Sequence, residues 1–263
     1  MIEETIYEIG DISKSLVDLD ISPSGNWVGI TDFSDSNQSI YFGDRKVKLQ
    51  EKVRFPIIRS IDEETVLVVN ARARNENNAW IINASGETKV SFHVDDAIED
   101  VIISKDFIVV TQFDEAAIGG DGVCVYDFQG TRLFNYYELF GGETVYICDC
   151  YAAALVKENR IIFCPYTEFP MVLFDIEAKS QQIWEIPQAV KGFHAITKRG
   201  NKFYFHKVYK LELEGYDFGI YEWQIGSENV EKIGEYSNHF TRGLPGGKFF
   251  AKNEAGYAII KIV

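Results

Sequence analysis

The sequence is poor in the residues that mark the commonest active sites. It holds four cysteines, four histidines, two methionines and six prolines in 263 residues. No paired C-x-x-C knuckles occur, which argues against structural zinc on Cys124, Cys148, Cys150 and Cys164. These cysteines sit in apolar alternating runs and are expected to pack as small hydrophobes. A bridge between Cys148 and Cys150 would have to span the ~7 Å of an i, i+2 pair in a strand. There is no G-x-S-x-G elbow, and the pairs Ser24-Gly25 and Ser85-Gly86 lie in hairpin turns. The Gly-Gly pairs at 119–120, 141–142 and 246–247 lack the strand, G-x-x-x-x-G-K-[ST] and helix of a phosphate loop. No apolar run approaches the ~18 residues of a membrane helix. The N-terminal MIEETIYEIG is acidic and lacks the basic and apolar regions of a signal peptide. The expectation is therefore a cytoplasmic protein.

Positive charge is scarce as well. Lysine and arginine total 26 against 40 aspartates and glutamates, a formal net charge of −14. That balance repels phosphate backbones and anionic lipid, so neither nucleic acid nor a membrane is an expected partner. Arg72 and Arg74 beside Arg54 and Arg59 form the densest basic group, read as solvated loop arginines paired with Glu63, Glu64 and Glu76.

What is abundant is alternation. The stretch 123–137, VCVYDFQGTRLFNYY, is an alternating apolar run, a Gln129-Gly130 corner and a second alternating run, the pattern of two antiparallel strands. Similar apolar runs begin at Ile40, Trp80, Val172, Ile220 and Ile259, so that successive copies start 40, 43, 49, 48 and 39 residues apart. This is the period of a four-stranded propeller blade. Upstream of each copy lies a second repeated pattern of strand, short turn and long apolar strand, as in PIIRSIDEETVLVVNAR and YAAALVKENRIIFCPYTE. Helical periodicity is confined to the turn at Glu138-Leu139-Phe140. The sequence predicts an all-β, six-bladed β-propeller spanning residues 1–263 as a single domain, with four antiparallel strands per blade. The last copy stops after its third strand, while residues 5–10 alternate like an outer strand without a blade. The N-terminal strand is thus expected to complete the last blade in a 1+3 clasp and to protect the sheet edge.

In such a fold the first strands line a central channel, and the loops at one mouth carry function more often than the strands do. Alignment of the copies brings ionisable residues to that mouth: Asp18 or Asp20, Arg54 or Arg59, Asp100, Asp149 or Cys150, His194, and His239 or Arg242. The second strands end there in Asp32, Arg72, Asp114-Glu115, Tyr166-Thr167-Glu168, Tyr209-Lys210 and Asn253-Glu254. The loop 113–122, FDEAAIGGDG, has the Gly-Gly pair of a flap or of a surface loop. The acidic, aromatic 209–218 and the Leu139-Phe140 pair of 139–144 are further surface candidates.

Two stretches carry a resemblance. AIEDVIISKDFIVVTQFDEAAIG with GVCVYDFQG, and CDCYAAALVKENRIIFCPYTEFPMV, are similar to segments of a family of bacterial WD-like or YVTN-like propellers that has no assigned activity. In that family an I-E-D-V strand, an aromatic-Asp-Glu-Gly loop, a D-C-Y-A strand and a Y-T-D-F-P-L-V strand end recur. The resemblance covers roughly residues 97–172 and implies fold and bacterial origin, with emphasis on Glu99, Asp100, Asp114, Glu115, Asp149, Cys150, Tyr151, Tyr166, Thr167 and Glu168. The chain departs from the pattern at Ala116 (glycine in the family) and at Glu168 (aspartate in the family), whose extra methylene displaces any shared ligand geometry. The Gly-His and Trp-Asp signatures of WD repeats and the S-x-D-x-G-x-T-W box of sialidase propellers are absent.

Two functions fit these residues. The first is a non-catalytic, monomeric module that binds a protein or a peptide, a basic one given the chain's charge, without a cofactor. Its contacts would come from Asp114, Glu115, Tyr166, Thr167, Tyr209, Tyr216 and His239, with Phe169 as a further anchor. The alternative is a metal-assisted hydrolase or lyase at the channel mouth. There Asp100, Asp149 and Glu168 would hold Ca²⁺ or Mg²⁺, and His194 or His206 would act as general base.

Overall fold

The computed structural model describes residues 1–34, 37–72, 76–114, 121–166, 168–237 and 240–263. Among them, twenty-four strands form six four-stranded antiparallel sheets, the blades of a six-bladed all-β propeller. Blade one is β2 (Leu16–Ile21), β3 (Trp27–Thr31), β4 (Ser39–Phe42) and β5 (Arg45–Lys48). Blade two is β6 (Pro56–Ser60), β7 (Thr65–Asn70), β8 (Ala79–Asn83) and β9 (Thr88–Phe92). Blade three is β10 (Ile98–Ile103), β11 (Ile108–Gln112), β12 (Val123–Tyr126) and β13 (Arg132–Asn135). The chain divides into two compact units, and residues 11–103 with 107–138 hold these three blades.

The second unit, residues 1–10, 104–106 and 139–263, holds the other three. Blade four is β14 (Ala152–Lys157), β15 (Arg160–Cys164), β16 (Met171–Asp175) and β17 (Ser180–Trp184). Blade five is β18 (Phe193–Arg199), β19 (Lys202–Lys210), β20 (Gly215–Gln224) and β21 (Val230–Glu235). Blade six is β22 (Phe240–Leu244), β23 (Lys248–Lys252), β24 (Gly256–Ile262) and β1 (Ile2–Glu8).

Each blade is built by a gradient of burial. Second strands such as β7 and β11 are buried on both faces, whereas the fourth strands β5, β13 and β17 are largely exposed. The apolar runs of the second strands follow, because a strand packed on two neighbours has no solvent face to alternate toward. In β7 the period of two divides the side chains between two cores. Val66 and Val68 join Ile30, Ile40 and Phe42 of blade one, and Leu67 and Val69 join Val101, Val110 and Tyr126 of blade three. In β19, Phe203 and Phe205 pack with Ile162 and Met171 of blade four, and Tyr204 packs with Phe249 and Ile260 of blade six.

Close backbone approach sets one glycine. A Cβ on Gly243 in β22 would lie 1.7 Å from the Ile196 carbonyl oxygen in β18, and the next residue, Leu244, accepts a 2.5 Å hydrogen bond from Thr197 Oγ1. No larger residue fits between these two first strands.

Three expectations meet differences. The hairpin of 123–137 turns over a longer corner: the Asp127 carboxylate accepts the amides of Gln129 and Thr131 at 2.9 and 2.8 Å, and Gly130 takes a φ of 80°. Tyr136 and Tyr137 leave the sheet for a one-turn helix, α1 (Tyr136–Phe140), because Asn135 Oδ1 caps it by accepting the Glu138 amide at 2.6 Å. Cys148 and Cys150 precede β14 instead of lying in a strand; all four cysteines are free, and Cys124, Cys150 and Cys164 are buried.

β1 pairs with β24 from Ile2↔Ile262 to Glu8↔Gly256, completing blade six. Most of its side chains are exposed, so the strand is held by ladder hydrogen bonds, by Tyr7 stacked on Tyr257 at 4.7 Å, and by Ile2 packed against Gly234 of β21. Removing residues 1–9 should bare the β24 edge and lower the melting temperature by roughly 5 °C or more, with aggregation. A scanning-calorimetry trace unchanged by the deletion would contradict the clasp.

Candidate functional site

The ionisable residues of the first three blades form a structural staple. β2 and β6 are sheet-edge strands, and edge amides need acceptors. Asp18 and Asp20, on one face of β2 at i and i+2, supply them. Asp18 accepts the Leu19 and Ile58 amides, both at 2.8 Å, and Asp20 accepts those of Ile21 and Ser60 at 2.7 and 2.8 Å. Arg59, expected to be a solvated loop residue, is buried between Asp18 and Asp100. Its Nη1 donates to Asp18 at 2.7 Å, its Nε to the Val101 carbonyl at 2.9 Å, and its Nη2 to Asp100. Burial opposes the guanidinium charge, but Asp100, Asp18 and Asp20 outweigh it and hold the pKa above its ordinary value. Asp100 thus meets an arginine and the Val101 amide.

The other residues singled out by sequence fall in several places. Asp114, with a φ of 52°, pairs with Arg72 at 3.0 Å, and that guanidinium lies 4.3 Å over the Phe113 ring. Asp149 is buried and accepts the Tyr151 hydroxyl at 2.8 Å; Glu168 is exposed in the turn before β16. Glu115, Thr167, His239 and Arg74, and residues 115–120 of the proposed flap, lie outside the described residues. His206 is 0% exposed, with Nε2 2.8 Å from the Tyr236 carbonyl.

Among the described residues, the grouping of His, Cys, Asp and Glu tight enough for one ion is Asp95, Asp121 and Cys124, which sequence reasoning did not assemble. Arg132 sits on it, with Nη2 on Asp121 and Nη1 3.7 Å from Asp95, while Asn135 donates to Asp121 at 2.5 Å. Burial raises the Cys124 thiol's pKa, so it stays protonated. A cation would have to displace the arginine and ionise that thiol. Hydrogen bonding within a neutralised network accounts for the group better.

Blades four and five carry a different surface. At the end where their first and third strands begin, six rings form a continuous chain. Phe169 meets Tyr166 edge-on at 5.6 Å, Tyr166 meets Tyr151 at 6.0 Å, and Tyr151 stacks on His194 at 5.7 Å. His194 meets Tyr216 at 5.0 Å, and Tyr216 meets Tyr209 at 5.4 Å. Tyr166, Tyr209 and Tyr216 are each 40 to 44% exposed. Lys207 Nζ lies 4.8 Å over the Tyr216 ring. Two residues here hold left-handed backbone at a cost that neither side chain relieves, Phe169 with φ 54° and Lys207 with φ 58°. The register of β19 on β20 slips here, with Phe218 and Gly219 of β20 set against Lys207 alone. The aromatic residues were visible as strand ends in the sequence; Lys207 was not, because alternation along the chain does not mark where a strand register will slip.

Burial first, and then the Lys207 charge, push the His194 pKa down to about 4, so its imidazole is neutral at pH 7. Burial also lowers that of His206.

Comparison with solved structures returns propellers. Streptogramin B lyase is 12% identical with a TM-score of 0.52, over 100% of this chain and 98% of that one. Hsv2 of Kluyveromyces lactis is 12% identical with a TM-score of 0.56, over 90% and 70%. PorZ of Porphyromonas gingivalis, a surface component of the type-IX secretion system, is 9% identical with a TM-score of 0.52, over 97% and 37%. At these identities the likeness carries the fold alone. No protein-family model and no curated protein matches the chain, so the bacterial WD-like or YVTN-like resemblance stands only for the propeller architecture. No helix among the described residues is long and apolar enough to cross a membrane.

Two measurements test these assignments. Arg59→Ala leaves the buried Asp18 and the half-buried Asp100 without their counter-charge and should cost about 3 to 5 kcal/mol in chemical denaturation; a loss below ~1 kcal/mol would show the staple to be dispensable. An unfolded chain protonates His194 and His206 near pH 6.5, whereas the folded protein resists it. Stability should therefore be complete above about pH 6.5 and fall as the pH drops toward 4, by at most about 1.4 kcal/mol per pH unit for each histidine. His194→Asn should flatten that slope, and an equal slope in the variant would contradict the assignment.

Proposed function

We propose that this propeller is a non-catalytic module that binds a protein or peptide on the aromatic end of blades four and five. The observation that carries the reading is the chain of six rings from Phe169 to Tyr209, three of whose tyrosines are substantially exposed. Tyrosines are the side chains that interfaces favour, because each offers a large rigid face and a polar tip at little entropic cost. The left-handed Phe169 and Lys207 support it, since backbone strain gathers where a surface has a task beyond stability. The chain's net charge of −14 favours a partner with basic residues around the contact. Its four free cysteines suit a reducing, cytoplasmic setting.

The metal-assisted hydrolase or lyase is the weaker reading on the same geometry. A general base works best with a pKa near the operating pH; His194 is held near 4, and His206 is out of reach of any substrate in the folded state.

Peptides selected from a random library on the intact protein should lose at least tenfold in affinity, about 1.4 kcal/mol, when Tyr166 and Tyr216 are both changed to alanine, with the fold retained. Selected peptides indifferent to both changes, or a library that yields none, would overturn the proposal.

A further inference from the structure

We infer that the corner between Tyr166 and Phe169, walled on its other side by Tyr151, is a seat for an organic cation: it receives the charged end of a lysine or arginine side chain of the bound peptide. The seat presupposes the binding face proposed above and specifies the chemistry of the group that one part of it takes.

The turn that carries the corner is built to hold its shape. Pro165 and Pro170 bracket it, and each fixes its own φ. Phe169 takes a φ of 54° directly before a proline, whose ring restricts the preceding residue further. Asp149 ties the turn down at two points: its carbonyl accepts the Tyr166 amide at 2.7 Å, and its carboxylate accepts the Tyr151 hydroxyl at 2.8 Å. The three rings are thus set before a ligand arrives, with Phe169 at 89° to Tyr166 and Tyr166 at 60° to Tyr151. Two rings at a right angle bound a corner with a π face on each side, and Tyr166 is exposed. Walls fixed in advance spare the entropy that mobile side chains would lose on binding.

The rings then select the sign of the ligand. An aromatic face is negative and attracts an ammonium or guanidinium that comes within ~6 Å of its centre. Donation of the Tyr151 hydroxyl to Asp149 polarises that phenol and leaves its ring more negative. The protein makes the same pairing with its own cation at the other end of the ring chain, where the Lys207 ammonium lies 4.8 Å over Tyr216. At Tyr166 and Phe169, among the described residues, no lysine or arginine lies over either ring. Glu168, exposed between them in the chain, adds negative charge to the turn, and the net charge of −14 draws cations toward the whole surface. The ring next to Tyr151 is His194, an imidazole that is neutral at pH 7 and opposes no arriving cation. An anion brought to the same corner would meet repulsion from the ring faces and from Glu168. Lysine and arginine present the same feature, a cation on an apolar stem that aromatic faces can cover.

The test titrates the isotope-labelled intact protein with N-acetyl-lysine methylamide and with N-acetyl-norleucine methylamide, which has the same stem without the charge, read by NMR at residues 151, 166, 169 and 216. The lysine probe should bind at least about fivefold tighter, with its largest shifts at 166 and 169. Tyr166→Leu, which keeps an apolar side chain and removes the π face, should abolish the preference, and Tyr166→Phe should keep it. N-acetyl-arginine methylamide tells the two sources apart, since the cation that binds tighter is the side chain the seat takes. Equal affinity for the lysine and norleucine probes, both lost in Tyr166→Leu, would overturn the cation seat and leave the aromatic face standing. A preference that survives in a folded Tyr166→Leu would report the chain's net charge alone and would also overturn the seat. Failure of every probe to shift any of the four positions would overturn it as well, and the peptide library on the same protein then shows whether the face falls with it.

Discussion

The structure depends on one constraint: a second strand packed between two neighbouring sheets must bury both of its faces. In β7 the period of two sends Val66 and Val68 to one core and Leu67 and Val69 to the other, and β19 does the same with Phe203, Phe205 and Tyr204. The hydrophobic effect therefore acts on every residue of these strands, and their register cannot slip without exchanging the two cores. The fourth strands carry no such demand and are polar and exposed. Repetition of this gradient six times makes the fold, and the first strands are left with a separate problem of unpaired edge amides.

That problem is solved by charge. Asp18 and Asp20 accept amides from their own strand and from β6, and Arg59 ties the pair to Asp100 and the Val101 carbonyl. Buried ions of this kind add little net stability over apolar packing, but they fix how neighbouring edges align, because a carboxylate accepts an amide only in a narrow range of positions. Ionisable residues on the first strands of a propeller are thus weak pointers to catalysis. The aromatic end of blades four and five differs in kind: three of its six rings are exposed, and its backbone turns left-handed at Phe169 and Lys207. Regular positions in the repeat serve packing, and the proposed binding face lies at irregular ones.

Much of this was legible beforehand. Apolar alternation at intervals of 39 to 49 residues marked six blades, and the orphan strand at the N-terminus marked the clasp. Tyr166, Tyr209 and Tyr216 could be placed at one end because strand ends follow from the same periodicity. The corner after Val125 could not, since the Asp127 carboxylate captures two amides and lengthens the turn beyond what Gln-Gly suggests. Nor could the environment of Arg59, whose sequence neighbours resemble those of any loop-proximal arginine.

The sequence by itself determined the blade count, the strand order and the division between buried and exposed strands, because these follow from local alternation and from the length of each repeat. Only the tertiary structure decided which charges neutralise one another, which strand bulges, and which rings touch. Those outcomes depend on residues dozens of positions apart, Asp18 with Arg59 and Tyr151 with His194, whose meeting is fixed by how sheets stack and leaves no mark in the spacing along the chain.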